Sequence, residues 1–222
     1  MNVNSWVTAF TCDSSNPEEA GGFLKRDNRP AVGVSVVQSA VEKINEILGD
    51  DHSVKWLTID DVPPKSLDYE NAHTLGLDRY MACLGAKMKS DEPVVVVDAG
   101  TACTIDYMDD KGVYRGGVIM PGLSLWERSL KEFAPALPTV VRDIPMKWPG
   151  KNTEDSVRWG LSGAFVEAVN GMIRNYDPWS KVWVTGGDGD WLAKRIERSA
   201  KVDDNLVFDG IRSLLASQNW FS

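Results

Sequence analysis

The chain has 222 residues, 43% of them hydrophobic and 25% charged, with a net charge of −8, so it can bury a core as one large or two small domains. That acidic balance argues against a nucleic-acid partner, which asks for a basic face, but not against ATP, whose sites use local N–H groups and a divalent ion. Cys12, Cys83 and Cys103 are unclustered, which suits reduced thiols in a cytoplasm, and no apolar run nears a membrane span of roughly 20 residues or follows a signal-peptide pattern.

Residues 31–37 read as a buried strand, after which Val36, Val37, Ala40, Val41, Ile44 and Leu48 recur at helical spacing. Residues 54–59 predict a second strand, 60–65 a proline-marked loop, and 77–88 a helix opening on Asp78-Arg79. The polar stretch 87–93 divides the chain into an N-terminal α/β domain, 1–90, and a C-terminal α/β domain, 91–222. The second domain restarts with a strand through Asp98, a turn at 109–112, a returning strand and a helix near 124–133. Residues 135–149 carry four prolines and predict an irregular surface loop near the site. The next helix starts at Thr153-Glu154-Asp155, with a capping hydroxyl and acids in its first turn. It runs to about Tyr176 on an apolar face of Trp159, Val166, Val169, Met172 and Ile173. A strand at 181–185, a helix at 190–200 and a last helix at 206–217 complete an alternation that indicates α/β architecture. The nine tryptophans scatter through these patterns, and core packing accounts for them better than base stacking.

The strand at Val94-Val95-Val96-Val97 suits burial on both faces and empties into Asp98-Ala99-Gly100-Thr101. Gly100 lets backbone N–H groups approach an anion. Thr101 and Thr104 can donate to phosphate oxygens and Asp98 can hold a cation, or Asp98 can simply cap a turn. Thr185-Gly186-Gly187 ends another strand where nucleotides commonly sit, and is otherwise an ordinary strand-to-helix turn. Asp78 and Arg79 stand at a helix N-terminus, where dipole complementarity and a surface ion pair also account for them. His52 and His73 share no ligand spacing with cysteines or carboxylates, which argues against zinc. Neither a Gly-x-Ser-x-Gly elbow nor a Walker loop is present.

Several motifs recur in a recognisable order: Gly76-Leu77-Asp78-Arg79, Asp98-Ala99-Gly100-Thr101-Ala102, Gly116-Gly117-Val118-Ile119-Met120-Pro121-Gly122-Leu123, Leu137-Pro138, Asn152-Thr153 and Thr185-Gly186-Gly187. Together they resemble the type III pantothenate kinase family, which includes Bvg accessory factors, over about residues 32–217. The resemblance implies an actin-like ATPase (ribonuclease-H-like) α/β fold, with two related domains around a nucleotide cleft. It also implies ATP-dependent phosphorylation of pantothenate to 4′-phosphopantothenate, the first step toward coenzyme A, by a cytoplasmic homodimer. By the same resemblance Asp78 is the general base on the substrate hydroxyl and Arg79 binds the pantothenate carboxylate, within a Gly76-Leu77-Asp78-Arg79 segment that forms part of the substrate site. Tyr69 borders the pantothenate pocket, and Thr153 contacts the substrate. Thr101 contacts ATP, flanked by Gly100 and Thr104, and Thr185, Gly186 and Gly187 take the adenosine side. Asp98 holds a monovalent cation, K⁺ or NH₄⁺, while Mg²⁺ bridges the phosphates. Helix capping explains Thr153 equally well, and packing explains Tyr69.

Family members open with a strand ending in Asp-x-Gly-Asn-Thr, which this sequence lacks; Met1 to Thr8 resembles the strand that follows that first hairpin. One expectation is a displaced start within a complete kinase, poor in activity as written, since each lost preorganised donor costs roughly 10²–10³ in rate. The other is a protein that keeps the fold and binds ligand without turnover, as an accessory or regulatory factor. A kinase for another small hydroxy acid is the third.

Overall fold

The computed structural model describes residues 16–27, 31–49 and 54–217. The strand expected near the start of the chain, Cys12 and His52 lie outside the described residues. The chain divides into two compact units, residues up to 63 with 71–78, and residues 64–70 with 79 onward.

In the first unit, α1 (Pro17–Asp27) carries Glu18 and Glu19 in its first turn and Lys25 and Arg26 in its last, matching the helix dipole. It packs on α2 (Gln38–Leu48), which connects β1 (Ala31–Gly33) to β2 (Val54–Trp56), paired in parallel. Both strands are shorter than expected. The ladder ends at Gly33 and Trp56, and Val36 and Val37 lie exposed ahead of α2, whose buried positions are Ile44 and Leu48. Past Trp56 the chain turns into a 3₁₀ turn, Ile59–Asp61, where Thr58 N donates to Asp61 Oδ2 at 2.8 Å.

The second unit is built on a five-stranded sheet of β3 (Val94–Ala99), β4 (Ala102–Met108), β5 (Tyr114–Pro121), β6 (Lys181–Thr185) and β7 (Ala200–Val202). The spatial order is β5-β4-β3-β6-β7, with β4 antiparallel to both neighbours and β6 and β7 parallel to β3. A hairpin meander extended by parallel strands on the far side of its first strand is the ribonuclease-H-like arrangement. Val94 to Val97 are at most 1% exposed, which confirms a strand covered on both faces. Residues 64–70 run along the β5 edge, where Asp68 N donates to Tyr114 O at 2.9 Å.

Helices α3 (Leu77–Lys87), α4 (Leu123–Phe133), α5 (Thr153–Arg158), α6 (Ala164–Ile173), α7 (Gly189–Ala193) and α8 (Leu206–Ser217) complete the chain. Three expectations need correction. The capping group of α5 is Asn152, whose Oδ1 accepts from Asp155 N at 2.8 Å, so Thr153 is the first helical residue and not the cap. A π-helical turn, Trp159–Gly163, interrupts the helix expected to run unbroken to Tyr176, and the Trp159 indole there donates to Lys147 O at 3.0 Å. The helix expected over 190–200 ends at Ala193, because 200–202 leave it to pair with β6 and Arg198 is drawn to the carbonyls of Asp177, Pro178 and Ser180. Phe165, Val166, Val169 and Ile173 of α6 are buried in the unit's own core together with Val95 and Val97, while Met172 remains exposed.

Helices α3 and α8 cross at glycines. A Cβ on Gly85 would lie 2.0 Å from Leu206 O, and one on Gly210 2.0 Å from Met81 O, so the two helices meet backbone to backbone.

Candidate active site

At the carboxyl ends of the parallel strands β3 and β6, Asp98 and Thr185 are register partners, and Thr104 of β4 flanks Asp98 on the other side. The chain leaves β6 through Gly186 at φ 87°, a left-handed conformation that a Cβ disfavours. A Cβ at Gly186 would also stand 2.4 Å from Asp98 Oδ1. The turn is tied to β3 by Asp188 N donating to Ala99 O at 3.0 Å, and it closes into α7 through Gly189 N donating to Gly186 O at 2.9 Å. An open cleft of ≈ 560 Å³ results, lined by Asp98, Thr185, Gly186, Gly187, Asp190 and Asp204, with Val207 and Phe208 of α8 beside them. Its volume falls in the range of small-ligand and cofactor sites. Gly186→Ala is therefore expected to lower the melting temperature and to weaken nucleotide binding by about tenfold or more. Thermal melts and titration with a non-hydrolysable ATP analogue check this, and unchanged affinity would remove the turn from the binding surface.

Gly100 and Thr101 form the tight link from β3 to β4, and Thr101 is exposed, with its carbonyl accepting from Gly122 N at 2.9 Å. Behind them the buried Cys103 thiol is pushed up to about 12, by burial first and then by the Asp98 charge, so it is an inert packing thiol. Among the described residues no group of three or more His, Cys, Asp or Glu could hold a metal ion. Asp98 and the hydroxyls of Thr185 and Thr104 are hard oxygen donors. Such a set fits K⁺ or a Mg²⁺ carried largely by phosphate oxygens, and does not fit a zinc cage.

A second cluster surrounds Arg79. The guanidinium is buried, 9% exposed, and its Nε and Nη2 donate to Asp106, with Nη2 to Oδ1 at 2.6 Å. The Tyr114 hydroxyl donates to the same oxygen at 2.7 Å. Burial works against the Arg79 charge, but the hydrogen bonds and charge of Asp106 more than offset it and hold the guanidinium protonated. Burial, reinforced by Asp106, likewise raises the Tyr114 phenol. Gly117 permits the closeness, since a Cβ there would meet Asp106 Oδ1 at 2.3 Å. Tyr69 tilts against Tyr114 with ring centroids 6.0 Å apart.

Of the residues singled out from sequence, the cleft thus gathers Asp98, Thr185, Gly186 and Gly187, while Arg79 and Tyr69 fall in the second cluster. Gly76, the buried Leu77 and the half-buried Asp78 group with the first compact unit, the last two in the first turn of α3. Thr153 is exposed at the start of α5. Sequence reasoning missed Asp106 and Tyr114, although both flank the Gly116-Gly117 motif in the hairpin, and missed Asp190, Asp204 and Phe208, which carry no motif of their own.

The type III pantothenate kinase family profile matches residues 11–175. The chain belongs to the type III pantothenate kinase family. A protein of Chlorobaculum tepidum described as a type III pantothenate kinase is 34% identical over 96% of this chain and 84% of its own length. One from Azobacteroides pseudotrichonymphae is 32% identical over 71% of this chain and 66% of its own. A solved structure from Campylobacter jejuni, described as a Baf family transcriptional activator, superposes with a TM-score of 0.64 at 24% identity, covering 90% of this chain and 88% of that one. With the strand order above, that likeness shows the actin-like α/β fold. Membership in the type III pantothenate kinase family makes the chain a kinase, with ATP as the implied donor. No helix among the described residues is long and apolar enough to cross a membrane.

Proposed function

We propose that this chain transfers the γ-phosphoryl group of ATP to the primary hydroxyl of pantothenate, giving 4′-phosphopantothenate and opening coenzyme A synthesis. The observation that carries the reading is the Asp98–Thr185 pairing at the ends of β3 and β6 with Gly186 pressed against the carboxylate, a cradle for phosphate and cation at one spot. Asp78 accepts the hydroxyl proton as it attacks. Arg79, oriented by Asp106 through its Nε–Nη2 edge, recognises the pantothenate carboxylate, with Tyr69 and Thr153 bordering that pocket. Gly100, Thr101 and Thr104 serve the phosphates, and Thr185, Gly186 and Gly187 the adenosine side. Asp98 holds K⁺ or NH₄⁺. Asp98 and the Thr185 hydroxyl would lie beside a phosphate-bound Mg²⁺, which would supply charge neutralisation for the transfer.

The chain acts in the cytoplasm as a homodimer. The stretch from Trp159 to Ile173 contributes to the dimer contact through its outward side, where Met172 is exposed and Trp148, 74% exposed, packs edge-on against Trp159. Incubating the protein with ATP, Mg²⁺ and K⁺ tests the chemistry: ADP release that depends on pantothenate is expected, and ATP consumption with other hydroxy acids but none with pantothenate would overturn the substrate.

A further inference from the structure

The proline-rich segment 135–149 reaches the nucleotide turn through one side chain. Arg142 directs Nε and Nη2 at the two carboxylate oxygens of Glu127 on α4, at 2.7 and 2.8 Å, and Nη1 at Asp188 Oδ1. Its carbonyl accepts from the Trp191 indole of α7 at 3.1 Å. Asp188 directly follows Gly186-Gly187, and its own N–H holds that turn against Ala99 at the end of β3. The side chains of Arg142, Glu127 and Asp188 are 34, 29 and 19% exposed, so the network is partly shielded from water.

This arrangement resolves a charge problem. A turn that borders an anionic nucleotide carries a carboxylate one residue past its second glycine, and Asp98, Asp190 and Asp204 already line the same cleft. An uncompensated Asp188 would add repulsion against the ligand at short range. We propose that Arg142 is a positioning residue for the nucleotide site: its planar fork anchors the Gly186–Asp188 turn to α4 and cancels the Asp188 charge, so that the turn presents its backbone to ATP. Arginine suits this where lysine does not, because three carboxylate oxygens on two partners are met by three N–H groups fixed in one plane. Arg142 itself touches no reacting atom, and its effect falls on the nucleotide and not on pantothenate.

The inference rests on the kinase reading, and calorimetric titration with a non-hydrolysable ATP analogue and Mg²⁺, without pantothenate, separates the two. Arg142→Ala is expected to weaken analogue binding by about tenfold and to raise KM for ATP in proportion, with KM for pantothenate within about twofold of the parent. Adding Asp188→Asn to Arg142→Ala should recover most of the lost affinity, since the repelling charge is then gone. A purely structural role for Arg142 would give no such recovery. Arg142→Lys, which keeps the charge but loses the fork, should fall between and guards against misfolding of the alanine variant. Parent-like analogue affinity in both Arg142 variants, or an equal rise of both KM values, would overturn the proposal. Parent protein that binds no analogue would overturn the kinase reading and this inference with it, whereas analogue binding without pantothenate turnover would strike the substrate assignment alone.

Discussion

Asp78→Asn should lower kcat by about 10²–10⁴, the usual contribution of a positioned general base, while the fold and ATP affinity persist. Phosphoryl transfer needs little covalent work from the protein, so most of the rate comes from positioning and charge neutralisation, and the base is the one proton-handling group the reaction requires. Asparagine keeps the shape of the side chain in the first turn of α3 but cannot accept the hydroxyl proton. Steady-state kinetics with melting curves measure both halves of this expectation. A variant with parental turnover would return Asp78 to service of the helix N-terminus, and a variant that melts early would show that the carboxylate holds α3.

Asp106→Asn should destabilise the second unit by about 3–5 kcal/mol, because it leaves the Arg79 guanidinium buried without its counter-charge. The loss is a large part of the 5–15 kcal/mol that holds a typical domain together. The Tyr114 hydroxyl adds to the cost, since its acceptor changes from a carboxylate to a weaker amide. Removing both charges at once, as in Arg79→Met with Asp106→Leu, should cost far less than the single change, as buried pairs replaced by apolar groups generally do. Denaturant unfolding of the single and double variants is the measurement. A loss below about 1 kcal/mol in Asp106→Asn would mean that water reaches Arg79 and that the pair is not structural. Even where the single variant folds, KM for pantothenate should rise, because Arg79 loses the carboxylate that aims it.

The parts of the fold legible in the sequence were those where local pattern and tertiary demand agree. Four valines ahead of Asp98 can only be comfortable in a strand covered on both faces, and Leu206 to Ser217 repeats at a helical period with nothing to interrupt it. Residues 190–200 show the opposite case. Their composition favours a helix, yet Ala200 and Val202 gain strand pairing to β6 and Arg198 binds three carbonyls, contacts whose partners lie outside the segment. The π turn at Trp159–Gly163 was equally hidden, since it answers to a carbonyl at Lys147.

The candidate site divides in the same way. Asp98, Thr185 and Gly186 announce themselves because each sits at a strand end with the glycine that the turn requires. Asp106 does not, because it is one acid in an alternating strand, and only the fold brings Arg79 and Tyr114 onto it. Arg142 lies in a stretch with no period at all, so nothing short of the folded chain could couple it to Glu127 and Asp188.

The crossing of α3 on α8 bears on how the protein is made. Gly85 lies near the start of the second unit's sequence and Gly210 near its end, yet each backbone rests on the other helix with no side chain between. During vectorial synthesis α3 leaves the ribosome long before its partner exists, so the groove at Gly85 stays open until α8 has emerged. The last contact to form closes a long loop and is slow for that reason. Until then the Gly85 face of α3 lacks its cover, the kind of transiently exposed surface through which a nascent chain meets other molecules.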